Sequence, residues 1–346
     1  MSSTAPPFRP PRDCVWEVTL ACDARCIHCG SDAGRPRERE LDTTEALDVC
    51  DQLAALGTRE VTLSGGEPLL REDWVEIARR LVGRGVRVTM ISNGLGWDAA
   101  AVRAAVDAGL HSVTFSIDGP ADVHDELRGV DGAFPRALAA VRALRDAGLP
   151  VGVSTQVGRP ALPRLAELEA ALASAGVLGW QLQLTMPAGR CAEHRELVLA
   201  AGEVPELVRF VLAARARRAL SLYLADNVGW MTPDEPRLRS AADPPDRFFA
   251  GCQAGLAVLG LTSDGTVRGC LSLAPEFDEG SLRRRSLASI WNDPAAFAYN
   301  RRFREDELTG GCRECPFRRV CRGGCRSLAW ALDGTVHENR YCLRLR

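Results

Sequence analysis

Three cysteines stand close together near the start of the chain, Cys22-x3-Cys26-x2-Cys29, and seven more, Cys252, Cys270, Cys312, Cys315, Cys321, Cys325 and Cys342, crowd into its last hundred residues. Thiolate is the soft ligand that iron–sulfur clusters prefer. Three thiolates this close can hold three irons of a cubane and leave the fourth without a protein ligand. An electron carrier normally closes all four positions, so an open iron suits a site that must bind a cofactor or a substrate. Zinc is the competing metal. In the first group it would need His28 as a fourth ligand, but adjacent ligands such as His28 and Cys29 fit a tetrahedral site poorly. In the second group Cys312-x2-Cys315 with a later pair resembles a zinc ribbon, yet seven ligands do not divide into closed sites of four.

Such loops need rigid elements behind them. From Val15 to about Tyr223, short β-branched runs alternate with longer stretches rich in Ala, Leu and Arg. The pattern predicts strands at Val15–Leu20, Glu60–Ser64, Val86–Ser92, Ser112–Asp118, Val151–Val157 and Trp180–Met186. Helices are predicted between them at Thr44–Leu56, Asp73–Gly83, Asp98–Ala108, Phe134–Ala147 and Leu162–Ala175, with a further one near Val204–Ala219. Successive β–α units imply parallel strands with right-handed crossovers. Six units cannot close an eight-stranded ring, so the expected α/β fold is a partial (β/α)6 barrel with its site at the C-terminal strand ends. The Pro-, Asp- and Gly-rich stretch Asp226–Pro245 reads as a linker. The expected divisions are a tail over 1–14, the barrel over 15–225, the linker over 226–250 and a small Cys-rich domain over 251–346.

Composition removes several function classes. The net charge of −2 and the lack of a long basic tract argue against nucleic acid and anionic membranes as partners. No signal peptide or spanning segment is legible, and the expected location is the cytoplasm, where 13 cysteines point to metal rather than disulfides. All 43 basic residues are Arg. Without a lysine the chain cannot form a Schiff base with pyridoxal or supply a P-loop amine.

The Cys22–Cys29 loop, placed directly after the first strand, resembles the signature of the radical S-adenosylmethionine superfamily. That resemblance implies a [4Fe–4S] cluster whose open iron chelates the cofactor's methionine, and one-electron cleavage to a 5′-deoxyadenosyl radical. Ser64-Gly65-Gly66-Glu67-Pro68 resembles the family's GGEP element, in which the backbone and Glu67 receive the cofactor's ammonium. By the same resemblance Ser116 and Asp118 would reach the ribose and Arg128 the carboxylate, while Asn93 and Arg190 are weaker candidates at the same rim. Cys191, beside Arg190, would lie at the site mouth as a reactive thiol, and Cys50, within a helix, reads as core.

The seven C-terminal cysteines, with Gly265, closely resemble the SPASM extension, which carries two auxiliary iron–sulfur clusters, expected to be [4Fe–4S]. The resemblance assigns Cys312, Cys315, Cys321 and Cys342 to the outer cluster and Cys252, Cys270 and Cys325 to the one nearer the barrel. No additional cysteine follows Cys252 in Gln253–Val258, so the nearer cluster would have an open iron or a ligand other than cysteine, serving either substrate binding or electron relay.

Enzymes with this extension commonly modify peptides, which implies a maturase of a ribosomally made precursor peptide, supplied with electrons by a flavodoxin- or ferredoxin-type donor. Cys22 lies so near the start that a leader peptide would be gripped by a separate recognition protein or by the barrel face. Formylglycine formation on sulfatases is disfavoured because Leu271, not Asp, follows Cys270. A radical enzyme acting on a small molecule, such as a sugar or a tetrapyrrole side chain, and a non-catalytic electron carrier are the other classes. Asp226, Glu276 and Asp278 are the candidate general bases.

Overall fold

The computed structural model describes residues 8–225, 227–228, 233–240 and 246–345. Seven strands run parallel in chain order: β1 (Asp13–Thr19), β2 (Glu60–Gly65), β3 (Arg87–Ser92), β4 (Ser112–Ser116), β5 (Val151–Val157), β6 (Gly179–Leu184) and β7 (Ser221–Leu224). The helices that return between them are α1 (Thr43–Leu56), α2 (Trp74–Gly83), α3 (Ala99–Asp107), α4 (Ala121–Arg128), α5 (Ala133–Asp146), α6 (Leu165–Ala175) and α7 (Val204–Arg217). All six expected strands are present. β7 extends the series by one because Leu222 and Leu224 are buried while Ser221 and Tyr223 face out, an alternation too short to stand out in the sequence.

Alternation along the strands separates two faces. Val61 and Leu63, Val88 and Met90, and Val113 and Phe115 are all fully buried. The intervening Thr62, Ser64, Thr89, Ile91, Thr114 and Ser116 are half-buried. Ser64, Ile91 and Ser116 of that second set, with Gln156, line a common cavity, which identifies it as the barrel's inner face. This face is polar: the Thr62 and Thr89 hydroxyls, opposite in register, hydrogen-bond across it at 2.9 Å.

The C-terminal segment continues the same sheet. A strand at Val258–Leu261 (β8) pairs in parallel with the free edge of β1, setting Trp16 opposite Leu261, and β9 (Thr266–Arg268) and β10 (Gly280–Ser281) follow antiparallel. The ten-stranded order β10-β9-β8-β1-β2-β3-β4-β5-β6-β7 stays open, as a partial barrel must. Polar contacts, buried at Glu17 and half-buried at Arg283, secure the junction. Glu17 Oε1 accepts from the Ser263 amide and hydroxyl at 3.1 and 3.0 Å, and Arg283 pairs at 2.7 Å with Glu45 of the α1 capping box.

Candidate active site

The loop after β1 carries Cys22, Cys26 and Cys29 over the C-terminal strand ends, where they form one wall of a cavity of about 620 Å³. Backbone bonds tie the loop to its surroundings: the Arg25 amide donates to Arg128 O at 3.2 Å, Ile27 to Leu127 O at 3.0 Å and Gly34 to Leu20 O at 3.0 Å. Arg190 clamps it from the segment after β6, donating to Cys26 O at 2.8 Å and Ala33 O at 2.9 Å and pairing with Asp32 at 2.5 Å. Arg190 was expected to bring charge toward the pocket, but its guanidinium is committed to holding the loop.

Each of the three sulfurs faces one N–H donor. The Asn93 side chain lies 3.8 Å from Cys22 Sγ, the Arg128 guanidinium 3.6 Å from Cys26 Sγ and the Ala33 amide 3.4 Å from Cys29 Sγ. Donors to sulfur stabilise thiolate charge and are among the features that set a cluster's potential. Thiols that share one cavity, each with its own donor, fit a polynuclear cluster in which different irons take different sulfurs. They do not fit the zinc alternative through His28. Its Nε2 lies 2.9 Å from Asp118 Oδ2 and its Nδ1 3.2 Å from Leu127 O, so both ring nitrogens are engaged by protein oxygens.

The glycines of the GGEP element are required by close packing. A Cβ on Gly65, whose φ is 137°, would lie 2.1 Å from Thr19 O, and one on Gly66 would lie 2.1 Å from Ala21 O. Both glycines line the cavity with backbone. Glu67 departs from the expectation. Its side chain is fully buried, with Oε1 accepting from the Ser92 hydroxyl at 2.9 Å and Oε2 from the Asn93 amide at 2.7 Å. It therefore shapes the loop that presents Asn93 rather than facing a ligand. Burial, opposed by these hydrogen bonds, raises its carboxyl to about 7.

Of the two ribose candidates, Ser116 lines the cavity and Asp118 does not. Asp118 is fully buried: Oδ1 accepts from the Gln156 amide at 2.9 Å, and Oδ2 meets His28 at 2.9 Å and Arg128 Nη2 at 2.5 Å. Burial alone would raise its carboxyl, but Arg128 and His28 hold it well below the usual carboxylate range. Arg128 is a buried residue at the end of α4, facing the cavity with its charge met by Asp118. In the same helix His124 is buried, accepts the Asp118 amide at Nδ1 and is lowered to about 4 by burial and by Arg128.

Sequence reasoning missed Gln156 on the wall. The half-buried Ser154 and Gln156 alternate with buried Val153, Thr155 and Val157 on β5, a signal that was available. It also missed His28 as a positioned group. Cys191 is fully buried and pushed up to about 11 by burial, so it is not a reactive thiol at the mouth. Cys50 is buried in α1. Glu276 and Asp278 are exposed, and Asp278 pairs with Arg268; neither lines the cavity. Asp226 lies outside the described residues.

In the C-terminal segment Cys312, Cys315, Cys321 and Cys342 ring a second cavity, of about 380 Å³, with Gly323, Gly324 and Asn339 beside them. The Asn339 amide donates to Cys312 Sγ at 3.5 Å. Cys252 and Cys270 form the other group with Cys325, close enough to disfavour its thiolate, though burial is the larger cause of its raised titration.

Comparison with known proteins agrees with this architecture. The family model described as "Radical SAM superfamily" matches residues 16–166, and the SPASM model, "Iron-sulfur cluster-binding domain", matches 252–316. An AdoMet-dependent heme synthase of Oleidesulfovibrio alaskensis is 31% identical over 334 residues, covering 93% of this chain and 84% of its own. A PqqA peptide cyclase of Gluconobacter oxydans is 30% identical over 335 residues, covering 94% and 88%. The crystal structure of Streptococcus suis SuiB bound to S-adenosylmethionine superposes with a TM-score of 0.76 at 15% identity, covering 97% of this chain and 78% of that one, a likeness of fold. With a cysteine loop at the strand ends, a second cysteine-ringed cavity and relatives matched along nearly its whole length, the chain belongs to the radical S-adenosylmethionine superfamily and carries a SPASM-type iron–sulfur extension.

Proposed function

We propose that this enzyme abstracts a hydrogen atom from a carbon of a ribosomally made peptide, leading to a cross-link or another new bond, with the auxiliary clusters accepting the electron then released. S-adenosylmethionine, held in the cavity beside the cluster, would supply the 5′-deoxyadenosyl radical for that abstraction. Cys22, Cys26 and Cys29 would hold the cluster. The Gly65–Gly66 backbone, Asn93, Ser116 and Gln156 offer hydrogen bonds to the cofactor along the wall. Asp118 fixes Arg128 and His28 behind them, and Glu67 fixes Asn93. Cys312, Cys315, Cys321 and Cys342 would hold the outer auxiliary cluster, and Cys252, Cys270 and Cys325 the nearer one.

The wall of this cavity serves the cofactor, so similarity to relatives carries the choice of a peptide. Among the described residues lining it, Arg128 is the one arginine and is committed to Asp118. The other polar side chains around it include the Ser31, Ser64, Ser92 and Ser116 hydroxyls and the Asn93 and Gln156 amides. Neutral donors and acceptors suit the hydroxyls and amino groups of the cofactor. Similarity to PqqA peptide cyclases supports a peptide as the substrate class.

A second reading, chemistry on a tetrapyrrole precursor of haem, is favoured by similarity to heme synthases over 92 to 96% of the chain. The test is an anaerobic incubation of reconstituted enzyme with S-adenosylmethionine and a flavodoxin- or ferredoxin-type donor. Short peptides encoded beside its gene and haem precursors are offered separately. A mass change on a peptide supports the proposal, and conversion of the tetrapyrrole alone contradicts it.

A further inference from the structure

Arg326 is 1% exposed and forms no ion pair with any carboxylate among the described residues. Its Nε donates to Asn300 Oδ1 at 3.1 Å and its Nη1 to the Val336 carbonyl, both neutral acceptors, and its guanidinium carbon stands 5.6 Å from the Phe303 ring centre. Asn300 is in turn fixed by donating to the carbonyls of Cys252 and Ala254 at 3.2 and 2.8 Å. A buried guanidinium is always charged, and burying it without an anion is strongly unfavourable. Glu307 acts on it only from beyond ion-pair distance and burial keeps the Tyr299 phenol neutral, so the near groups that can supply negative charge are the two cysteine sets. It follows Cys325 directly in the chain, its partner Asn300 holds the Cys252 carbonyl, and its charge also reaches Cys312 of the outer set.

We infer that Arg326 is the counter-ion shared by the two auxiliary clusters, a fixed positive charge between them that makes both easier to reduce. The inference rests on the assignment of the seven cysteines to two clusters in the proposed function. Cubanes on cysteine thiolates are anionic and gain negative charge on reduction, so a cation held beside them in a water-poor interior favours the reduced state. Its place beside Cys325 and its link through Asn300 to Cys252 make the effect larger on the nearer cluster. Arg326 is accordingly a positioning residue for charge rather than a ligand.

The test is an EPR-monitored reductive titration of reconstituted holoprotein, after iron and sulfide have been counted, in wild type, Arg326→Gln and Arg326→Lys. Arg326→Gln is expected to shift both auxiliary couples to more negative potential, the nearer one further, and to leave the barrel cluster in place. Arg326→Lys, which keeps the charge, is expected to remain near wild type. Fully loaded Arg326→Gln with unchanged auxiliary potentials overturns the inference. If Gln loses the auxiliary iron and Lys retains it, the requirement for charge is upheld; if both lose it alike, Arg326 serves packing and the inference is wrong. Wild type that loads iron only at the barrel cysteines overturns the cluster assignment itself, a failure visible before any potential is read.

Discussion

Replacing Asp118 by Asn is the sharpest test of how the site is held. The carboxylate is fully buried and receives three donors, the Gln156 amide on Oδ1 and both His28 and Arg128 on Oδ2. An asparagine presents one oxygen and one NH2 group, so in either orientation at least one donor faces another donor. If the oxygen stays toward Arg128, the Gln156 amide is orphaned; if it turns, both His28 and Arg128 are. In both cases the Arg128 guanidinium keeps its charge in a buried place. Removing one member of a buried ion pair costs about 3–5 kcal/mol, a large fraction of a total stability of roughly 5–15 kcal/mol. The pair also orients the donor to Cys26 Sγ, so cofactor cleavage should fall together with stability. Anaerobic urea unfolding followed by far-UV circular dichroism, with 5′-deoxyadenosine measured on the same preparations, gives both quantities. The double variant Asp118→Asn with Arg128→Gln should be less destabilised than the sum of the two single changes, because the unpaired charge is gone. A loss below about 1 kcal/mol in Asp118→Asn, or strictly additive effects, would refute the pairing as described.

Three further outcomes follow from the same geometry. Glu67 titrates at about 7 in the folded chain, against about 4.3 when unfolded. The folded state thus holds the proton longer, and stability should fall by about 4 kcal/mol as pH rises between those values and then level off; Glu67→Gln should flatten that difference, and parallel pH profiles for the two proteins would contradict it. Gly66→Ala places a methyl 2.1 Å from Ala21 O, so the β1 and β2 ends must separate at a cost of about 1–3 kcal/mol; cofactor cleavage should be lost, which a 5′-deoxyadenosine assay reads. Cys191 should resist iodoacetamide in the native protein and react once the chain is unfolded, since burial raises it to about 11; rapid labelling by mass spectrometry in the native state would show it to be accessible.

What the sequence made legible is what is local in the chain. The Cys22–Cys29 spacing, the Gly65–Gly66 turn and the six principal strands each depend on neighbouring residues, and each lies where the pattern placed it. The support behind the site is not local. Asp118 meets His28 across 90 positions, and Arg128 meets Cys26 across 102. Helix α4 is absent from the predicted helices because half of its buried face is polar, His124 and Arg128 one turn apart beside Val123 and Leu127. The family resemblance implies cofactor contacts at Glu67 and Asp118. Only the packed structure reveals that both are spent on neighbouring loops. The parallel pairing of β8 with β1 joins residues at opposite ends of the chain through a four-residue strand, beyond the reach of any periodicity.

The central claim is radical cleavage of S-adenosylmethionine at the Cys22, Cys26 and Cys29 loop. Its most direct test is anaerobic reconstitution with iron and sulfide, then dithionite and S-adenosylmethionine, with 5′-deoxyadenosine quantified in wild type and in Cys26→Ala. Product from wild type and none from the variant is the predicted result. Equal product from both, or none from a fully loaded wild type supplied with its substrate, would contradict the account.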